Sequence, residues 1–242
     1  MHSDETTEMS GPVKEAIDAV MSAWYAEYEA SPLGKAAAEA LERAKAGGNP
    51  TIDFEAAEVL VAAEQENASL EGRLAEAFAN LPEGVMLTAD ELMTAVAYVD
   101  RNAGPSLLWK VVMESNRLRS DALPEAVPSV WSSAEFPEQY LDTWDWGELF
   151  SEAGFTIDYK PAERPTEPVR LYRGSNEDHR EGMAWTSDRE RAAWFASRPT
   201  WPTPGKVWTA LVEPDRLLAI VHDRDEAEHI VWTEGLDIVE AK

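Results

Sequence analysis

The spacing of apolar residues changes once along the chain, and this change most constrains the fold. Up to about residue 121, apolar residues such as Val13, Ile17 and Met21 recur at three- and four-residue steps, the period of an amphipathic helix. After Thr166, short segments alternate or are wholly apolar, which is typical of strands. A helical region followed by several short strands around one helix predicts an α+β fold with a small mixed sheet.

Turn residues and composition divide the chain into segments. The Pro- and aromatic-rich stretch before the strands contains too many large rings to remain in water, so we expect it to pack on the domain that follows. The four predicted segments are a disordered polar leader (1–11), an acidic helical domain (12–121), a connector packing on the C-terminal domain (122–168), and the α+β domain (169–242).

Capping signals place several helix ends. Ser31 can cap a helix that has Pro32 in its first turn, and Thr88 with Glu91 three residues later forms a capping box. A long helix is predicted over Asp53–Asn80. In the connector, a short helix is predicted over Trp144–Ala153, ended by Gly154.

The C-terminal domain is predicted as strands around a single helix that Ser187 or Asp188 can cap. The predicted elements are strands at Val169–Arg173, Gly182–Ser187, Lys206–Val212, Leu217–Val221, His229–Trp232 and Leu236–Val239, and a helix at Asp188–Ser197.

Charge and composition exclude several function classes. The net charge is −25; residues 1–159 carry −21 of it and residues 160–242 carry −4. A surface this negative repels phosphate, so we expect no direct binding to nucleic acid. The chain has no cysteine, only four scattered histidines and no apolar run long enough to cross a bilayer, so we expect no metal site and no membrane segment. The polar, acidic start predicts a cytoplasmic protein.

Three short motifs carry chemically useful side chains, each at the edge of a predicted strand. They are Tyr172-Arg173-Gly174, then Trp185-Thr186-Ser187 leading into a helix that carries Phe195, and Glu226-Ala227-Glu228.

These residue types suit the cleavage of NAD. An arginine can hold a diphosphate, hydroxyl side chains can bind ribose, and an aromatic ring can cover the nicotinamide. A carboxylate can stabilise an oxocarbenium-like transition state, and a second carboxylate can orient or deprotonate the acceptor. Because residues i and i+2 of a strand point to one side, Glu226 and Glu228 are predicted to share a face.

The order of the motifs resembles the Arg–Ser–Glu class of ADP-ribosyltransferases. It also resembles phage and actinobacterial proteins with Tyr-Arg-Gly, Trp-Thr-Ser/Thr-Asp and Glu-x-Glu stretches. The resemblance covers about the last third of the chain. It implies that Arg173 anchors NAD, Ser187 braces the pocket, Glu228 is the catalytic glutamate and Glu226 directs the acceptor, which in Glu-x-Glu members is usually arginine. The other residues that we expect to bind NAD are Tyr172, Gly174, Trp185, Thr186 and Phe195.

Two further hypotheses stay open beside a mono-ADP-ribosyltransferase or NAD glycohydrolase of phage or bacterial origin. The acidic front region is also typical of a non-enzymatic interaction protein, such as a DNA mimic or an inhibitor that binds a basic protein. A virion-associated structural protein is the third. The motifs also have ordinary structural explanations, since Thr-Ser-Asp is a helix N-cap signal and Asp223–Glu228 resembles a solvated charged turn.

Overall fold

The computed structural model describes residues 11–46, 70–199, 203–222 and 227–242. The chain divides into two compact units, Met1–Leu118 and Arg119–Lys242. Most of the predicted leader and the first part of the helix predicted over Asp53–Asn80 lie outside the described residues. The C-terminal unit begins well before residue 169, because it includes the whole of the predicted connector.

The N-terminal unit is helical in the residues described. Its helices are α1 (Pro12–Ala30), α2 (Pro32–Lys45), α3 (residues 70–79), α4 (Ala89–Tyr98) and α5 (Gly104–Trp109), and a π-helical turn (Lys110–Glu114) continues α5.

Both predicted caps of this unit are confirmed. The Ser31 side chain accepts a hydrogen bond from the backbone N–H of Gly34 (3.0 Å). Thr88 Oγ1 accepts from the Glu91 N–H (3.2 Å), and the Glu91 carboxylate accepts from the Thr88 N–H (2.8 Å), which completes the capping box. These bonds satisfy amide groups that a helix start leaves without partners.

One ion pair lies largely inside the N-terminal unit. Glu71 is 6% exposed, and its carboxylate accepts hydrogen bonds from Lys110 Nζ (2.6 Å) and Ser106 Oγ (2.7 Å). The two donors offset the cost of removing the carboxylate from water. This cluster therefore links α3 to α5 and the π-helical turn.

In the residues described, the C-terminal unit joins three α-helices to an eight-stranded sheet, which confirms the predicted α+β class. The helices are α6 (Leu123–Ser133), α7 (Thr143–Ala153) and α8 (Arg189–Ala196). The strands are β1 (Thr156–Ile157), β2 (Lys160–Pro161), β3 (Val169–Ser175), β4 (Ala184–Thr186), β5 (Lys206–Val212), β6 (Leu217–Val221), β7 (Glu228–Val231) and β8 (Val239–Glu240). The strand order is β2-β1-β6-β7-β4-β3-β5-β8, and the sheet is mixed because β1 pairs with β6 in parallel.

The connector region contains more regular structure than its sequence predicts. The helix predicted around Trp144–Ala153 is confirmed as α7, which Asp142 caps and Gly154 ends. Helix α6 was not predicted, because it contains two prolines. Pro124 occupies the first turn, where its missing N–H is not needed, and Pro128 is buried in the helix interior.

The sheet differs most from the sequence predictions at its two edges. The last predicted strand, Leu236–Val239, is wrong in its bounds, since β8 spans only Val239–Glu240. Leu236 instead packs against the hydrophobic core outside any strand. The hairpin of β1 and β2 was not predicted, and its two turn residues, Asp158 and Tyr159, both have positive φ (49° and 67°).

One face of the sheet carries a compact hydrophobic core. Its buried members are Phe155, Leu171, Trp185, Trp208, Ala210, Val212, Leu217, Ile220 and Val231. Among the described residues, no helix has both the length and the apolar character needed to cross a membrane.

Candidate functional site

Three of the predicted site residues form a row across neighbouring strands. Strands β3, β4 and β7 lie next to one another, with β4 in the middle. Tyr172 on β3 pairs with Thr186 on β4, and Thr186 pairs with Glu228 on β7. Because opposed residues of antiparallel strands point to the same side, Tyr172, Thr186 and Glu228 share one face. We call these three residues the polar row.

Arg173 follows Tyr172, and alternation along β3 directs its Cβ to the opposite side from the row. Its guanidinium bonds to backbone carbonyls: Nε donates to His179 O (2.9 Å) and Nη1 donates to Ala184 O (2.7 Å). Burial lowers the pKa of Arg173, and the charges of Glu138 and Glu228 oppose that shift. Arg173 therefore ties β3 to β4 while its charge acts on Glu228.

Glu138 is a neighbour of this arginine that sequence reasoning missed. Its Oε2 accepts a hydrogen bond from the Met183 backbone N–H (3.3 Å). A Cβ added at Gly182 would lie 2.1 Å from Arg173 Nη2 and 3.0 Å from Glu138 Oε2. A glycine at position 182 therefore leaves the space in which the carboxylate and the guanidinium approach each other.

Glu228 is half-buried at the start of β7, and its carboxylate reaches a helix. The Trp131 indole Nε1 donates to Glu228 Oε1 at 3.2 Å, and Trp131 itself is 1% exposed on α6. Sequence reasoning also missed Trp131. The available signal was the number of aromatic residues in the connector, which predicted packing but not a polar contact.

The Thr-Ser-Asp motif performs the helix capping that its sequence predicts. Asp188 Oδ1 accepts from the Glu190 and Arg191 N–H groups (2.8 and 3.2 Å), and Thr186 Oγ1 accepts from the Asp188 N–H (3.1 Å). Ser187 is exposed and lies in the turn after β4. Thr186, rather than Ser187, therefore occupies the strand position opposite Glu228.

The remaining predicted NAD-binding residues are not part of the polar row, although Gly174, two residues after Tyr172 on β3, lies on the same face. Trp185 is 2% exposed in the core of the opposite face, and its indole donates to Gly182 O (2.9 Å). Gly174 lies against α8, where a Cβ would be 1.9 Å from Ala192 O. Phe195 packs beside Arg191, whose guanidinium carbon is 5.2 Å from its ring centre. The structure gives each of these residues a packing role.

Of the predicted pair of glutamates, only Glu228 is among the described residues, since Glu226 lies outside them. His229 follows Glu228 and points to the opposite side, where it is 7% exposed. Burial lowers the pKa of His229, and a hydrogen bond from the ring to Ala227 O (3.2 Å) opposes the shift.

The polar row offers a phenol, an aliphatic hydroxyl and a carboxylate on one face, with the charge of Arg173 nearby. Hydroxyl and carboxylate groups can bind a ribose diol, and a carboxylate can stabilise a developing positive charge. Comparison of the chain with models of protein families, with curated proteins and with solved structures finds no match.

Proposed function

We propose that the C-terminal unit is an NAD-dependent mono-ADP-ribosyltransferase domain that modifies a protein acceptor, or transfers to water as an NAD glycohydrolase. One observation carries the proposal. The register of β3, β4 and β7 aligns Tyr172, Thr186 and Glu228, which come from three separate sequence motifs. If the three motifs were only turn and helix-cap signals, their residues would not need to align across the sheet.

In the proposed reaction, the bond between the nicotinamide nitrogen and C1′ of the ribose breaks, and nicotinamide leaves with the bonding electron pair. The carboxylate of Glu228 stabilises the resulting oxocarbenium ion. An acceptor nitrogen or a water oxygen then bonds to C1′ and loses a proton, which we assign to Glu226 by the resemblance stated above.

The arrangement of Arg173 modifies the role that the resemblance implies. Two of its guanidinium nitrogens are hydrogen-bonded to backbone carbonyls, so a bidentate grip on a diphosphate requires those bonds to be exchanged. We assign Arg173 a fixed positive charge at the site. We assign Thr186 and Tyr172 to the ribose hydroxyls.

The proposal is tested with NAD labelled on its adenylate half, purified protein and a bacterial lysate. We expect the wild-type protein to transfer label to protein, and Glu228→Gln to abolish transfer while keeping the shape of the side chain. The matched control is Glu213→Gln, because Glu213 is an exposed glutamate of the same unit outside the row. Equal transfer by Glu228→Gln and wild type would refute the assignment of Glu228.

Release of nicotinamide separates the two forms of the proposal. Release without label on any protein, again lost in Glu228→Gln, identifies a glycohydrolase. Release that rises with added lysate protein identifies a transferase. The absence of both NAD consumption and NAD binding would refute the enzymatic function.

A second candidate function follows from the charge of −21 over residues 1–159. A non-enzymatic protein with this charge is expected to bind a basic partner through long-range attraction. Capture of a basic protein that weakens steeply with salt, and that is equally strong in Glu228→Gln, would support it. Capture that does not depend on salt would contradict it.

A further inference from the structure

Ring packing and burial hold the Trp131 indole in one orientation. Its ring packs edge-on against Trp146, with centres 4.9 Å apart, and against Phe150 at 6.0 Å. Trp146 is itself held by a hydrogen bond from its indole to Pro137 O (2.9 Å). Because Trp131 is 1% exposed, its N–H has a defined direction, and that direction leads to Glu228 Oε1.

The acceptor of this hydrogen bond differs from those of three other buried indoles in the same unit. Trp146, Trp185 and Trp208 donate to the backbone carbonyls of Pro137, Gly182 and Ser175, respectively. A backbone carbonyl is the neutral acceptor that satisfies a buried N–H at least cost. Trp131 instead donates to a half-buried carboxylate, which is costly to place there for packing alone.

We infer that Trp131 is a positioning residue that holds the Glu228 carboxylate in the orientation used for catalysis. The inference rests on the proposed function, and it adds to the site a residue from α6, outside the three sequence motifs. An indole N–H suits this role because it is a donor only and carries no charge. It fixes one carboxylate oxygen without cancelling the negative charge that an oxocarbenium ion requires.

The electrostatics of the site fit this division of roles. Arg173 supplies a positive charge near Glu228, and its Nε and Nη1 donate to His179 O and Ala184 O. Trp131 supplies a direct hydrogen bond without charge. Trp131 on α6 thus orients the Glu228 carboxylate, and Arg173 on β3 partly balances its charge.

The first test is Trp131→Phe, which removes the N–H and keeps most of the ring packing. We expect kcat to fall about 10- to 100-fold, the range of a lost hydrogen bond to a charged group, with KM for NAD little changed. The acid limb of the pH–rate profile is expected to move to higher pH, because a hydrogen bond that favours the ionised carboxylate is gone.

The matched control is Trp208→Phe, which loses an equivalent buried indole bond, to Ser175 O (3.1 Å). We expect this variant to lose stability like Trp131→Phe but to keep the wild-type kcat and pH profile. Unchanged kinetics in Trp131→Phe would overturn the inference while the proposed function stands. A parallel loss of kcat in both variants would show a structural role only.

A second measurement does not need turnover. The indole ¹H–¹⁵N resonance of Trp131, assigned as the one missing from Trp131→Phe, is expected to shift in Glu228→Gln and to titrate with pH in the wild type. The Trp208 resonance is expected to do neither. A Trp131 resonance unaffected by Glu228→Gln would overturn the inference. If the wild type consumes no NAD, the proposed function fails and the catalytic role of Trp131 fails with it, whatever the resonance shows.

Discussion

Gly174→Ala is expected to destabilise the C-terminal unit because there is no room for a methyl group between β3 and α8. A Cβ at this position would lie 1.9 Å from Ala192 O, 2.6 Å from Ala196 N and 2.8 Å from Phe195 Cβ. The two nearest atoms belong to the helix backbone, so no side-chain rotation can relieve the overlap. Helix α8 must move away from the sheet, and overpacking of this kind typically costs about 1–3 kcal/mol.

The assay is urea unfolding monitored by tryptophan fluorescence. The signal reports mainly on the C-terminal unit, because eight of the ten tryptophans lie there. The control is Gly72→Ala in α3, where an added Cβ meets nothing within 4 Å. We expect this variant to gain about 0.5–1 kcal/mol in free energy of unfolding, measured from the loss of helical signal in circular dichroism. An unchanged fluorescence midpoint for Gly174→Ala would refute the packing argument. Loss of NAD binding without loss of stability would instead support the prediction that Gly174 binds NAD.

Two further predictions concern stability. Glu71→Ala leaves the Lys110 ammonium half-buried without its carboxylate, so we expect it to lower the free energy of unfolding of the N-terminal unit by about 1–3 kcal/mol in urea. For the control Glu76→Ala, at an exposed position, we expect a loss of less than about 0.5 kcal/mol. Equal losses would contradict the burial argument. Burial lowers the pKa of His229, so the unfolded chain binds a proton more readily than the folded one. The stability that comes from neutral His229 is complete above the pKa of the unfolded chain, about 6.5, and is lost as the pH falls below it. We therefore expect His229→Gln to reduce the drop in unfolding free energy between pH 7.5 and pH 5.5. An identical drop in variant and wild type would contradict this.

Local sequence signals predicted much of the secondary structure of the C-terminal unit. Strands β5 and β6 have the predicted bounds, because alternation and a continuous apolar run are strong signals over five to seven residues. Helix α8 begins after Asp188, one of the two caps expected. Helix α6 was missed because its prolines outweighed the apolar spacing. Pro124 is tolerated in the first turn, whereas Pro128 lies in the helix interior, where proline is normally disfavoured.

The candidate site was less predictable than the fold. The polar row depends on which strands are neighbours and on their register, and neither follows from the spacing of motifs along a single chain. Glu138 and Trp131 reach the site from elements far away in sequence. The placement of Trp185 in the core reflects the alternation of β4, since the two neighbours of a strand residue point to the other side.

The central claim is that the polar row binds NAD, and amide chemical-shift mapping of the ¹⁵N-labelled protein with NAD tests it most directly. We predict saturable shifts concentrated at Tyr172, Thr186 and Glu228 and at their strand neighbours, and weaker binding in Glu228→Gln than in Glu213→Gln. No saturable shifts, or shifts confined to residues outside β3, β4 and β7, would contradict the account.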